Sequence, residues 1–254
     1  MDDFVAPDSN VKQASLREGM QVADLGAGSG AAGFAALNLN RQLELISVER
    51  NPQMFGLLQK TVRLNSNQVF RSRVRILQSD VAKSGAERLK EGLNENSVDH
   101  VIMNPPYNTI SDRSSNDPRK VEAHYMGSGG LDSWLRTAAA MLKPGGEVVL
   151  IYRTANLGDV IACCRGRFGN LRIMPIHSKP GEAAKRIIVR GTRASRAPLT
   201  LLPGFAIHKS DGAFTAPAEA IFDGRQHEVF TLLCQRGGSV YLDLRYPAWQ
   251  VVEV

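Results

Sequence analysis

Apolar residues in the first three quarters of the chain fall into short runs with two different periods. Residues 21–25 (QVADL), 43–49 (LELISVE), 74–80 (VRILQSD) and 98–104 (VDHVIMN) are short and aliphatic, and read as strands. The segments between them have helical spacing. AAGFAALNL follows the first strand, and PQMFGLLQKTVRLNSN follows the second, with Pro52 at the favoured first helical position. AERLKEGLN follows the third. Beyond a polar connection over 108–130, LDSWLRTAAAMLK predicts a helix stopped by PGG, EVVLIYR a fifth strand, and NLGDVIACCRGRF another helix. Two alternating strands, LRIMPIH and KRIIVRGTR, then meet through SKPGEAA as a hairpin. Trp134 shares helical spacing with Leu131, Leu135 and Ala138 and is read as core.

Strand and helix in alternation, with short connections, predict a mostly parallel sheet with helices on both faces. The final hairpin adds an antiparallel edge, for seven strands in all. After Ser195 the pattern weakens into Pro- and Gly-punctuated pieces. The expected division is a short N-terminal segment (1–17), one α/β domain (18–195) and a C-terminal extension (196–254).

Ligands of open α/β sheets bind at the carboxyl ends of the strands, and the residues there are unusual. The first strand ends in Asp24, then Gly26, Ala27, Gly28 and Gly30 form a tight turn into a helix. The second strand ends in Glu49-Arg50, about 20 residues on, where an acid can accept from both ribose hydroxyls. The third ends in Asp80-Val81, where a carboxylate can take an exocyclic adenine amine. Asp24 is placed to hold a positively charged group. No lysine follows the glycines, which excludes a phosphate-gripping Walker loop. Adenine, ribose and a cation without phosphate describe S-adenosylmethionine.

The fourth strand ends in Asn104-Pro105-Pro106-Tyr107. Neither proline has an N–H, so the stub can continue neither a helix nor a sheet ladder. This ordered set resembles the class I S-adenosylmethionine-dependent methyltransferases over roughly residues 18–193, which implies a Rossmann-like fold. NPPY resembles the motif of amino-methyltransferases acting on planar nitrogen: adenine, cytosine or a glutamine amide. In that family the catalytic residues correspond to Asn104, Pro105, Pro106 and Tyr107, and the cofactor site to Asp24, Gly26, Ala27, Gly28, Gly30, Glu49, Arg50, Asp80, Val81 and Asn104.

Charge then narrows the substrate. The chain of 254 residues has a net charge of +6, which suits a polyanionic partner. Nine cations and a single acid lie between Arg165 and Arg196, and on a terminal helix and hairpin they could form one basic surface. A solvated edge that deters sheet pairing is the plainer account of those charges. The stretches VEAHYMGSGGLDSWLRTAAAMLKPGG and KPGEAAKRIIVRGTRASRAPLTLLPGFAIHKSDGAFTAPAEAI resemble bacterial adenine N6-methyltransferases of a valine tRNA. That resemblance implies tRNA contacts from Arg119, Lys120, Lys185, Arg186, Arg193 and Arg196. Protein glutamine, a small molecule including an oxygen acceptor, and a non-catalytic RNA-binding role remain open. The family opens with an additional segment over the cofactor, and the twenty residues before the first strand make that cover short.

The three cysteines have no ligand spacing, so neither a zinc site nor a disulfide framework is expected, and a reducing cytoplasm is the natural compartment. No membrane segment and no metal are expected. His124 falls in the polar connection and is read as incidental, and the oligomeric state is left open by the pattern.

Overall fold

The computed structural model describes residues 19–40, 42–106 and 130–222. Tyr107, Arg119, Lys120 and His124 lie outside these residues, as do the segment 1–17 and the end of the chain from 223. Strands β1 (Met20–Leu25), β2 (Leu43–Glu49), β3 (Val74–Gln78), β4 (Val98–Met103) and β5 (Leu142–Arg153) are all parallel. β7 (Arg186–Arg193) pairs antiparallel with β5 and with β6 (Phe168–His177). The order is β3-β2-β1-β4-β5-β7-β6, with a further short strand outside β6.

The expected α/β architecture and its antiparallel hairpin are present. The sheet is longer than seven strands because two two-residue strands, β8 (Thr200–Leu201) and β9 (Phe205–Ala206), run parallel to β6. Leu202 N–H donates to Ile173 C=O at 2.7 Å and Ile207 N–H to His177 C=O at 3.0 Å, which covers the outer edge of β6. Two-residue strands are too short to leave a period in a sequence.

The central strands are apolar on both sides, as a sheet covered on both faces requires. Val22, Leu43, Leu45 and Ile102 pack with Phe34 and Leu37 of α1 (Ala31–Leu39) and Leu58 of α2 (Pro52–Arg63). Their neighbours Ala23, Ile46, Val48, Val101 and Met103 pack on the other face with Trp134, Leu135 and Met141 of α4 (Gly130–Met141). Val160 and Cys164 of α5 (Leu157–Cys164) join that face. A further short helix, α3 (Gly85–Lys90), carries a capping box between Ser84 and Glu87. Among the described residues no helix is long and apolar enough to cross a membrane.

α2 starts as its residues dictate. Pro52 follows the cap Asn51, whose side chain accepts from the Gln53 and Met54 amides at 2.9 and 3.1 Å. It ends at Arg63, four residues before the expected Asn67. Side chains from beyond the helix take its last carbonyls: Asn67 Nδ2 donates to Thr61 C=O at 2.8 Å and Arg71 Nε to Val62 C=O at 3.1 Å. The donors belong to a 3₁₀ segment over residues 65–73, a capping arrangement that no helical period announces.

Leu135 is fully buried between α4 and the sheet. Truncation to alanine leaves a cavity where α4 is anchored, so Leu135→Ala loses about 2–5 kcal/mol of unfolding free energy, read from urea denaturation.

Candidate functional site

The helices change face between β1 and β4, and the two strands are neighbours with Leu25 in register with Met103. The glycine turn and Asn104 therefore leave the sheet side by side. Such a switch in strand order opens a crevice between the connections that leave it.

The turn is built from backbone. Gly26 and Ala27 N–H both donate to Val48 C=O, at 2.8 and 2.9 Å, and Gly30 N–H donates to Ala27 C=O at 2.8 Å. Gly26, Gly28 and Gly30 have φ of 72°, 56° and 102°, in the region that favours glycine. At Gly26 the close approach matters as well, because a Cβ there would lie 2.4 Å from Trp134 Cη2. Glu49 locks the turn to the second strand: one carboxylate oxygen accepts from Gly28 N–H at 2.8 Å, the other from Asn51 N–H at 2.7 Å. Each oxygen retains acceptor capacity for a further donor, as two ribose hydroxyls require.

Eight of the expected residues line one cleft of about 240 Å³: Gly26, Gly28, Glu49, Arg50, Val81, Asn104, Pro105 and Pro106. Asn104 is exposed at its mouth, whereas Pro105 is buried. Asp80 faces an adjoining cavity of about 530 Å³ that shares Arg50, Asn51 and Ser79 with the first. There it accepts from Ala82 N–H at 2.8 Å and meets Arg50 at 3.5 Å. Ala27 and Gly30 shape the turn without lining the cleft.

Asp24 stands behind the turn. It is 3 % exposed, and its Oδ2 accepts from Gly33 N–H at 3.0 Å, tying β1 to the start of α1. Burial pushes its carboxyl up to about 7; the Gly33 bond opposes this shift and the Glu49 charge adds to it. Its position stabilises the turn rather than presenting a carboxylate at the cleft wall.

Trp134 was expected in the core, and 7 % of it remains exposed, but the exposed part closes the cleft over Gly26. Its helix is held there by Thr137, whose hydroxyl donates to Val81 C=O at 2.6 Å and accepts from buried Arg88. Ser79 also lines the cleft, with its N–H on Glu49 C=O at 3.2 Å and its hydroxyl on Glu91 at 2.6 Å. A 3.6-residue period shows that Trp134 faces inward but not that a glycine turn lies beneath it.

The profile of the methyltransferase small domain family matches residues 9–176. The chain belongs to that family. S-adenosylmethionine is accordingly the methyl donor, and the residues present fit it: a turn that lines the cleft with Gly26 and Gly28, a carboxylate at the second strand end and a cleft between them. A curated relative, the tRNA1(Val) (adenine(37)-N6)-methyltransferase of Aeromonas hydrophila, is 26 % identical over 212 residues, 80 % of each chain. A solved structure from Agrobacterium tumefaciens, described as a predicted O-methyltransferase, is 34 % identical with a TM-score of 0.71, covering 84 % of this chain and 92 % of its own.

Two predictions follow from the turn. Gly26→Ala in this methyltransferase strains a positive φ and drives a methyl into the indole, so cofactor affinity falls about tenfold or more by calorimetry with S-adenosylhomocysteine. Asp24 has a folded pKa raised above its ordinary value of 3.8, so the folded state binds the extra proton between roughly pH 4 and 7. Its contribution to stability is present below that window and is lost as pH rises through it. Urea midpoints at pH 5 and pH 8 should therefore drop more for the wild-type chain than for Asp24→Asn.

Proposed function

We propose that this methyltransferase transfers the methyl group to a planar amine, the N6 of an adenine in tRNA, and works in the cytoplasm. The observation that carries the reading is the register of β1 with β4, which brings the Asn104-Pro105-Pro106 stub to the wall shared with Gly26 and Gly28. The relative from Aeromonas hydrophila supports the choice of adenine and of tRNA.

An aromatic NH₂ is a poor nucleophile because its lone pair is delocalised into the ring. The Asn104 side-chain oxygen and the Pro105 carbonyl each accept one of its hydrogens, which draws nitrogen toward tetrahedral geometry and aims the lone pair into the cleft. Both acceptors are neutral and pre-positioned, so they stabilise charge developing on nitrogen without a proton-abstracting base. The prolines fix φ and hold the acceptors in place before substrate arrives. Tyr107 offers a face on which a flipped-out base stacks, a contact of about 1–3 kcal/mol. S-adenosylmethionine supplies an electrophilic methyl whose carbon–sulfur bond breaks as the nitrogen–carbon bond forms, the electron pair remaining on sulfur. The proton that nitrogen sheds passes to water.

The relative from Agrobacterium tumefaciens motivates a second reading, transfer to oxygen. A hydroxyl acceptor calls for a base, and the carboxylate that lines the main cleft, Glu49, is held by two backbone amides with its remaining acceptor capacity assigned to the ribose hydroxyls. The neutral acceptors of the stub suit an amine better.

Asn104→Ala should retain S-adenosylhomocysteine binding within about threefold while methylation of bulk tRNA falls at least about a hundredfold, the scale of losing one positioned electrostatic group. Mass spectrometry of nucleosides from the reacted tRNA should show N6-methyladenosine. Label from the methyl donor recovered only in protein or metabolite fractions would defeat the RNA reading.

A further inference from the structure

Nine cations between Arg165 and Arg196 were expected to make one basic surface. The topology divides them. β7 runs antiparallel to β5, so Arg186 is paired with Arg153 at the carboxyl rim while Arg193 lies seven residues away, about 23 Å along the strand. At the far end Arg193 donates to Leu142 C=O and Asn96, and Arg196 follows there beside the start of β6. Arg190 is buried against Glu147, which lies beside His100 at 3.7 Å. These contacts tie strands together rather than present charge at the cleft.

The rim is different. Met103 is in register with Leu150, so Arg153, three residues further on, stands level with the Asn104–Pro106 stub. At one strand spacing each, Arg153 and Arg186 lie about 5 and 10 Å to the side of the line on which the stub leaves the sheet. They are direct cross-strand partners, so their side chains share one face. Exposed Lys185 precedes Arg186. Lys179, bonded through Nζ to Ser210 C=O at 3.3 Å, and Lys209 continue the row past the end of β6. Acids in the connections that leave this rim include Asp159 in the first turn of α5, Glu182 between β6 and β7, and Asp211. Protection of a sheet edge does not account for the pair, because β5 and β7 are interior strands.

Resting on the RNA reading above, we infer that the rim cations Arg153, Lys185 and Arg186 hold the RNA backbone beside the target base, and that the cations at the opposite end of β7 do not. Phosphates flanking a flipped base lie to the side of the amine-gripping stub, and a row of Arg and Lys on that side neutralises them and releases counterions. The strand of RNA thus runs across the ends of β5, β7 and β6, away from the cleft wall formed by Glu49.

The test is fluorescence anisotropy of a labelled, unmodified tRNA transcript on the full chain over a range of salt. Lys185→Glu/Arg186→Glu should bind it at least about tenfold more weakly, with the slope of log K against log salt shallower by about 1 to 2. Arg165→Glu/Arg196→Glu, the same charge change around the other end of β6, should bind within about twofold of wild type. S-adenosylhomocysteine affinity should be equal in all three proteins, which checks folding without turnover. Wild-type binding by the Lys185/Arg186 variant, or an equal loss in the Arg165/Arg196 variant, overturns the rim assignment alone. Failure of the wild-type chain to bind tRNA even at low salt overturns the RNA reading and the rim assignment together.

Discussion

Parallel pairing of β1 with β4 is the constraint on which the molecule depends. Leu25 and Met103 are the last paired residues of adjacent strands, and each is followed by a segment that cannot stay in a sheet. One is a turn of positive-φ glycines; the other contains two successive prolines. A register slip of one residue would exchange the two faces of β4 and part these ends. Specific side-chain packing on each face resists it, since Val101 and Met103 fit one core and Ile102 the other.

Around that pair, the site is organised by backbone amides more than by side-chain charge. Glu49 is held by Gly28 and Asn51 N–H, Asp24 by Gly33 N–H, and Val48 C=O takes two amides of the turn. Carboxylates used in this way shape the turn, and Arg50 is the cation that lines the same cleft among the described residues. Positive charge collects on the other side of the stub, on interior strands whose order places it there. One rim of one sheet thus carries two chemistries, separated by the width of two or three strands: amide and carboxylate acceptors over the glycines, guanidinium and ammonium groups beyond Asn104.

Trp134 shows how packing and function share a side chain. Its ring fills the space left by the missing Cβ of Gly26, and its helix is pinned to the Val81 loop by Thr137 and Arg88. The close approach requires glycine below and a large flat ring above, so neither residue is understandable alone.

The sequence by itself determined the alternation of strands and helices, the carboxyl-end location of Gly26, Glu49, Asp80 and Asn104, and the hairpin. All of these follow from local periods and from backbone rules for glycine and proline that act within a few residues. Strand order, and with it every lateral distance, was decided only by the tertiary structure. A period of two says that Arg186 and Arg193 point to solvent or core, but not which ends of the sheet they occupy. Antiparallel pairing of β7 sends one to the carboxyl rim of β5 and the other to the opposite end, because direction within a sheet is set by pairing partners far away in the chain. Contacts between distant parts of the chain also brought Trp134 over Gly26, whereas the end of α2 and the place of Asp24 rest on bonds that span only six and nine residues.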